Sequence, residues 1–155
     1  MLPYLSETDL SETAHNPSSL HWEGRRARAA LEEAREQAAR AIGAKAREIV
    51  FVGSGSEADT PAILGAAQQR PGRHIISCAI EHRAVLRALD ALRDQGYEIT
   101  LLPVDHNGLV DPQRFEHALR PQTALASVMC ANNEVCTIEP ISQLAEIARR
   151  RSLHL

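Results

Sequence analysis

Apolar residues recur along this chain in two rhythms. Over residues 22–42 they fall at helical spacing, with Ala27, Leu31, Ala34, Ala38 and Ala41/Ile42 along one side. Glu36 stands four residues ahead of Arg40, the favourable order for an ion pair along a helix. Gly43 occupies the place where helices commonly turn off through left-handed backbone. Beyond that point short apolar runs alternate with amphipathic stretches. Residues 48–52, 74–78, 97–102 and 123–129 predict strands. Helices are predicted from the 53–56 loop to about Gln69, from just after His82 to Gly96, from Asp111 with Pro112 at its first position, and over 141–151 behind Pro140. Asp105-His106-Asn107-Gly108 reads as a turn, and Leu153-His154-Leu155 as the start of a further strand. The first 20 or so residues are polar and irregular, with Asn16-Pro17-Ser18-Ser19 as a turn or helix entry.

Strands alternating with helices imply an α/β fold with a largely parallel sheet. In such sheets ligands bind beyond the carboxyl ends of the strands. Three chemistry-bearing segments fall there. Gly53-Ser54-Gly55-Ser56 joins an apolar run to a helix, a geometry that aims free N–H groups and the helix dipole at an anion. Ala79-Ile80-Glu81-His82 follows the second strand; an imidazole there can stack on a planar ring or carry a proton near neutral pH. Cys130-Ala131-Asn132-Asn133-Glu134 follows the fourth, where side-chain amides are suited to hold a ring substituent. Each has a plainer reading: a tight turn, a helix cap, turn residues. Their convergence at one sheet edge favours a ligand site.

Gly53 to Ala58 also satisfies G-x-G-x-x-A, the dinucleotide fingerprint. The acidic residue expected roughly 20 positions on is misplaced, since Glu81 lies well past the next strand. No Gly-Lys-Ser/Thr follows, which excludes a P-loop. A net charge of −3 over 155 residues gives no basis for nucleic-acid binding. The run Arg149-Arg150-Arg151 closes a helix, where cations are favoured. The start lacks a basic and then apolar leader, and no run is long enough to span a membrane, so a cytoplasmic protein is expected. Cys78, Cys130 and Cys136 form no C-x-x-C pair; they are expected to be small buried residues in a reducing compartment. His and Cys lack metal-ligand spacing, so no metal is expected.

In order and spacing, several motifs together resemble the cysteine desulfurases, pyridoxal-phosphate enzymes of the class V aminotransferase group. They are Asn16-Pro17-Ser18-Ser19-Leu20-His21, Glu48-Ile49-Val50-Phe51, the Gly/Ser loop with Glu57, Glu81-His82-x-Ala84-Val85-Leu86, Asp105-x-x-Gly108-x-Val110-Asp111, and Ser127-Val128-Met129-x-Ala131-Asn132-Asn133-Glu134. The resemblance runs from about residue 15 onward. It implies a partial three-layer α/β/α large domain of a fold-type I pyridoxal-phosphate transferase over residues 21–155, truncated at both ends relative to the family, behind an irregular segment 1–20. It implies that Gly55 and Ser56 bind the cofactor phosphate. His82 matches the histidine that stacks on the pyridine ring and takes part in proton transfer. Asn133 matches the residue that hydrogen-bonds the ring hydroxyl. It also implies L-cysteine as substrate, alanine as product, a protein persulfide handed to a sulfur acceptor for iron–sulfur assembly, and a homodimer.

Four features stand apart from the family pattern. The family carries its cofactor on a lysine, and the only lysine here, Lys45, precedes the first predicted strand, at its amino end. None of the three cysteines matches the family's nucleophile. The chain alone is therefore expected to be inactive. Locally, Thr60-Pro61 is itself a helix-start signal, which would delay the helix past Ser56 and weaken the phosphate cup. Cys136 stands where the family has glycine, and is strained if the backbone there needs a positive φ. The alternatives are a dinucleotide-binding Rossmann-like domain and a non-catalytic remnant that acts only with a partner chain.

Overall fold

The computed structural model describes residues 16–155. The chain divides after Phe51 into two compact units.

In the first unit, helix α1 spans Trp22–Ile42, as the periodicity predicts. Local interactions account for it. The His21 side chain accepts from Gly24 N–H at the N-terminus, and Gly43, at φ 69°, ends the helix. Glu32–Arg35 and Glu36–Arg40 pair along its surface. The expected apolar side is not a core face here: only Gly24 and Ala39 of this helix are buried. Residues 48–52 do not form the predicted strand. A 3-10 turn occupies Ala46–Glu48, and the following apolar residues pair with no strand among the described residues. A strand is defined by its ladder, and high β-propensity without a neighbour gives none. Arg35 instead donates to the Ile49 carbonyl and lies 5.0 Å over the Phe51 ring. Residues 1–15, most of the irregular N-terminal segment, lie outside the described residues.

The second unit is built on three parallel strands in the order β2-β1-β3: β1 His74–Cys78, β2 Glu98–Leu102 and β3 Thr123–Ser127. Four helices accompany them: α2 Gly55–Gln68, α3 Arg83–Asp94, α4 Pro112–Ala118 and α5 Ile141–Arg150. Every residue of β1 is buried, as befits a central strand covered on both faces. Alternation along the strands sorts the core. Ile75 and Leu125 pack with Ile63, Val85, Leu89 and Leu92 of α2 and α3. Ile76, Cys78, Leu102 and Ala126 pack with Phe115, Leu144 and Ile147 of α4 and α5. The result is a three-layer α/β/α arrangement. Asp111 caps α4 with Pro112 in its first turn, as predicted. His154 bridges Leu125 in parallel, the start of the further strand.

Gly72 fixes how closely the entry to β1 approaches β3. A Cβ at this position would lie 2.2 Å from the Gln122 carbonyl oxygen. That contact is with backbone and no side-chain rotation relieves it. Gly72→Ala is expected to cost about 2 kcal/mol, the scale of overpacking a tight site. Urea unfolding would measure it, and a loss under a few tenths of a kcal/mol would contradict the close approach.

Candidate functional site

The carboxyl ends of β1 and β3 carry the predicted site loops. β1 ends at Cys78, and residues 79–82 lead directly into α3. His82 is the N-cap of that helix: its Nδ1 accepts from Ala84 N–H at 3.1 Å. This use of Nδ1 makes Nε2 the protonated nitrogen of the neutral ring, and Nε2 has no hydrogen-bond partner among the described residues. After β3, residues 130–139 fold back on themselves. Ala131 bridges Ile138 in antiparallel fashion, Asn132 N–H donates to the Thr137 carbonyl, and Glu139 N–H donates to the Cys130 carbonyl. Cys136 in this turn has φ 60°, so the strained left-handed backbone foreseen for it is present.

His82 and Asn133 line one open cleft of about 400 Å³, together with Ile80, Glu81, Asn132 and Glu134. Both are exposed, and Asn133 makes no hydrogen bond to the described residues, so its amide is available to a ligand. Gly55 and Ser56 do not line this cleft. They open α2, which packs against α3, and the charge of Asp59 in that helix reaches Glu81. A second depression of about 300 Å³ lies at the other end of the sheet, near Arg120, Thr123 and Arg151, and holds none of the predicted residues.

The Gly/Ser loop is better formed than Thr60-Pro61 suggests. The helix starts at Gly55, not at Thr60. Ser54 is the N-cap and its Oγ accepts from Glu57 N–H at 3.2 Å. Glu57 Oε2 accepts from Gly53 N–H at 2.7 Å. This reciprocal pair satisfies two donors at the helix start. Thr60 instead donates its hydroxyl to the Ser56 carbonyl, and Pro61 is accommodated inside the helix. The cost falls on the Glu57 carbonyl, which loses the donor that Pro61 cannot supply. The N–H groups of Gly55 and Ser56, in the first turn, remain without intrahelical acceptors. Both residues are exposed, and a Cβ built at Gly55 meets nothing within 4 Å.

Several buried polar side chains near the cleft were not legible as such in the sequence. Glu81 is buried, and its Oε1 accepts from Met129 N–H at 2.6 Å. Burial pushes its carboxyl pKa up, as do the charges of Asp59 and Glu139, while N–H bonds from Met129 and His82 pull it back. Asn132 is also buried. Its Nδ2 donates to the Ile80 carbonyl at 3.0 Å, and its Oδ1 accepts from the N–H groups of Glu134 and Val135. Glu139 lies beneath, with Oε2 accepting from Val110 N–H at 2.9 Å and Oε1 buried without a partner. The only sequence signals for these roles are the adjacencies Glu81-His82 and Asn132-Asn133. The cysteines divide, contrary to expectation: Cys78 is buried and its thiol pKa raised by that burial, whereas Cys130 and Cys136 are exposed. Turn residues at a loop surface cannot all be inside, whatever their type.

The family model for aminotransferase class V matches residues 5–155. The chain is 49% identical over 147 residues to a cysteine desulfurase IscS of Dictyoglomus turgidum, covering 94% of this chain and 37% of that protein. It is 43% identical over 156 residues to the cysteine desulfurase IscS of Methanosarcina thermophila, covering 99% of this chain and 37% of the relative. Among solved structures, SspA in complex with cysteine superposes with a TM-score of 0.86 at 34% identity, over 97% of this chain and 43% of that one. A NifS-like protein gives the same TM-score at 32% identity, over 99% and 42%. The chain thus spans under half the length of the relatives it matches.

Proposed function

Because the chain belongs to the aminotransferase class V family, we propose that its second unit forms part of the pyridoxal-phosphate site of a cysteine desulfurase. The observation that carries this reading is that His82 and Asn133 share one cleft. The chemistry of the donor set fits the cofactor. The Glu57 carboxylate accepts from the Gly53 N–H beside the helix start, and the N–H groups of Gly55 and Ser56 have no intrahelical acceptor. Gly55 and Ser56 would hold the phosphate through those amides and the helix dipole. The His82 imidazole would lie on the pyridine ring, with Nε2 the atom that holds or passes a proton. The Asn133 side-chain amide would donate to the ring hydroxyl. When bound, the group supplies an electron sink; the protein supplies orientation and charge.

The substrate on this reading is L-cysteine, and one structural relative is described in complex with cysteine. Sulfur would pass to an acceptor protein for iron–sulfur assembly, in a cytoplasmic homodimer of the full-length form, with residues 21–155 as part of its large domain. Lys45, the only lysine, belongs to the first unit, and no step is assigned to it. The chain alone is expected to bind the cofactor without turnover.

Titration with pyridoxal 5′-phosphate, followed by absorbance, tests the proposal. Saturable binding is expected, weakened about tenfold by His82→Ala or Asn133→Ala, the scale of one lost polar contact of about 1.4 kcal/mol. No borohydride-trapped adduct and no alanine from cysteine should appear. Absence of binding, or saturable NAD binding abolished by Gly55→Val, would sink it. Trapping on Lys45 with alanine release would overturn the expected inactivity.

A further inference from the structure

The geometry points to Glu81 and Asn132 as positioning residues that clamp the two site loops together and so fix His82 against Asn133. His82 and Asn133 are both exposed, on loops that leave different strands. Nothing in either loop alone sets the distance between them. The residue just before each one is buried and bonded to the opposite loop. Glu81, before His82, accepts from Met129 N–H at 2.6 Å. Asn132, before Asn133, donates to the Ile80 carbonyl at 3.0 Å. The two bonds run in opposite directions, an acceptor from the first loop and a donor from the second, so they restrain both sliding and separation. Asn132 also holds its own loop through the N–H groups of Glu134 and Val135.

Position 81 carries a carboxylate where a neutral amide would avoid the burial cost. Burial of charge without full pairing is unfavourable, and two further carboxylates, Asp59 and Glu139, add repulsion. The part of Glu81 that the clamp uses is one acceptor oxygen. Glutamine offers the same acceptor, so Glu81→Gln keeps the clamp and Glu81→Ala removes it. At position 132, aspartate keeps the acceptor for Glu134 and Val135 but has no donor for Ile80. Asn132→Asp therefore breaks the bond between loops, together with the 3.3 Å bond that Asn132 Nδ2 donates to Met129 Sδ.

NMR of the full chain decides the matter through effects across the loops. Removing Glu81 should move the side-chain amide signals of Asn133, and Asn132→Asp should move the ring signals of His82. Exchange of the Met129 amide should rise about tenfold or more in Glu81→Ala, the scale of one lost hydrogen bond to a charged group, and return close to wild type in Glu81→Gln. A role confined to stability would lower the unfolding midpoint and leave those folded-state signals in place; that result overturns the proposal, as does failure of Glu81→Gln to restore Met129 protection. Should Glu81→Ala fail to fold, Asn132→Asp decides alone through the His82 ring. The inference rests on the cofactor reading only for its purpose. A parallel titration with pyridoxal 5′-phosphate should show about tenfold weaker binding in Glu81→Ala, restored in Glu81→Gln. If the cross-loop signals move while binding does not, the clamp stands and the cofactor reading of His82 and Asn133 fails.

Discussion

Phe115→Ala is expected to destabilise the second unit by about 3–5 kcal/mol, the range for deleting a buried aromatic ring. Phe115 is fully buried and is the largest side chain of its core cluster, against Ile76, Leu102, Val110 and Leu144. Its helix has only seven residues, Pro112–Ala118. A helix that short has no stability of its own and persists by tertiary packing. The ring therefore supports both the core and the local backbone. Val110 precedes this helix and donates its N–H to Glu139 under the site loops, so the loss should extend toward the cleft. Urea unfolding checks the magnitude. A loss below about 1 kcal/mol would mean that the site collapses around the missing ring, or that α4 is not held by it.

The second large effect is expected at His74. This residue opens the central strand and is fully buried. Its Nδ1 bonds Thr123 on β3 at 2.8 Å and its Nε2 bonds Thr100 on β2 at 2.8 Å, so one ring ties all three strands. His74→Ala leaves a cavity, strips the Thr100 hydroxyl of its ring partner and leaves Thr123 only its bond from the Arg120 N–H, at a cost of about 3 kcal/mol. The same ring makes stability depend on pH. Burial lowers its pKa below the ordinary value of 6.5, the Arg120 charge lowers it further, and Glu98, paired with Arg120, opposes both. Above pH 6.5 the ring is neutral folded and unfolded. As the pH falls below 6.5, the unfolded chain takes up the proton first. The unfolded state then binds more protons, so stability falls until the pH passes below the depressed folded value. His74→Gln keeps a neutral polar group and should flatten the profile below pH 6.5. Equal slopes for both proteins would assign the acid sensitivity elsewhere.

Much of the candidate site was legible because its parts are local. Asp111-Pro112 starts a helix, Gly43 ends one, and the two loops at the carboxyl ends of β1 and β3 follow from alternation of element types. These signals need only the dihedral preferences and periodicity of neighbouring residues. Residues 48–52 failed for a complementary reason: their propensity is high, but the ladder that makes a strand comes from elsewhere. Thr60-Pro61 misled because two helix-start signals competed. The Ser54/Glu57 cap prevailed by satisfying more orphan N–H groups, and Thr60 found a carbonyl within the same helix.

The sequence by itself determined the kinds of element, the layer class, and the two side chains, His82 and Asn133, that share the cleft. Periodicity, caps and turn residues, which act over a few positions, set the elements and the layers; the order and spacing of the family motifs singled out His82 and Asn133. Only the tertiary structure decided that Gly55 and Ser56 stand outside that cleft's lining, that Cys130 and Cys136 are exposed, and that Glu81 and Asn132 bind opposite loops. Those outcomes depend on contacts such as Glu81 with Met129, 48 residues apart. No local pattern encodes a hydrogen bond across that separation; packing of β1 beside β3 creates it.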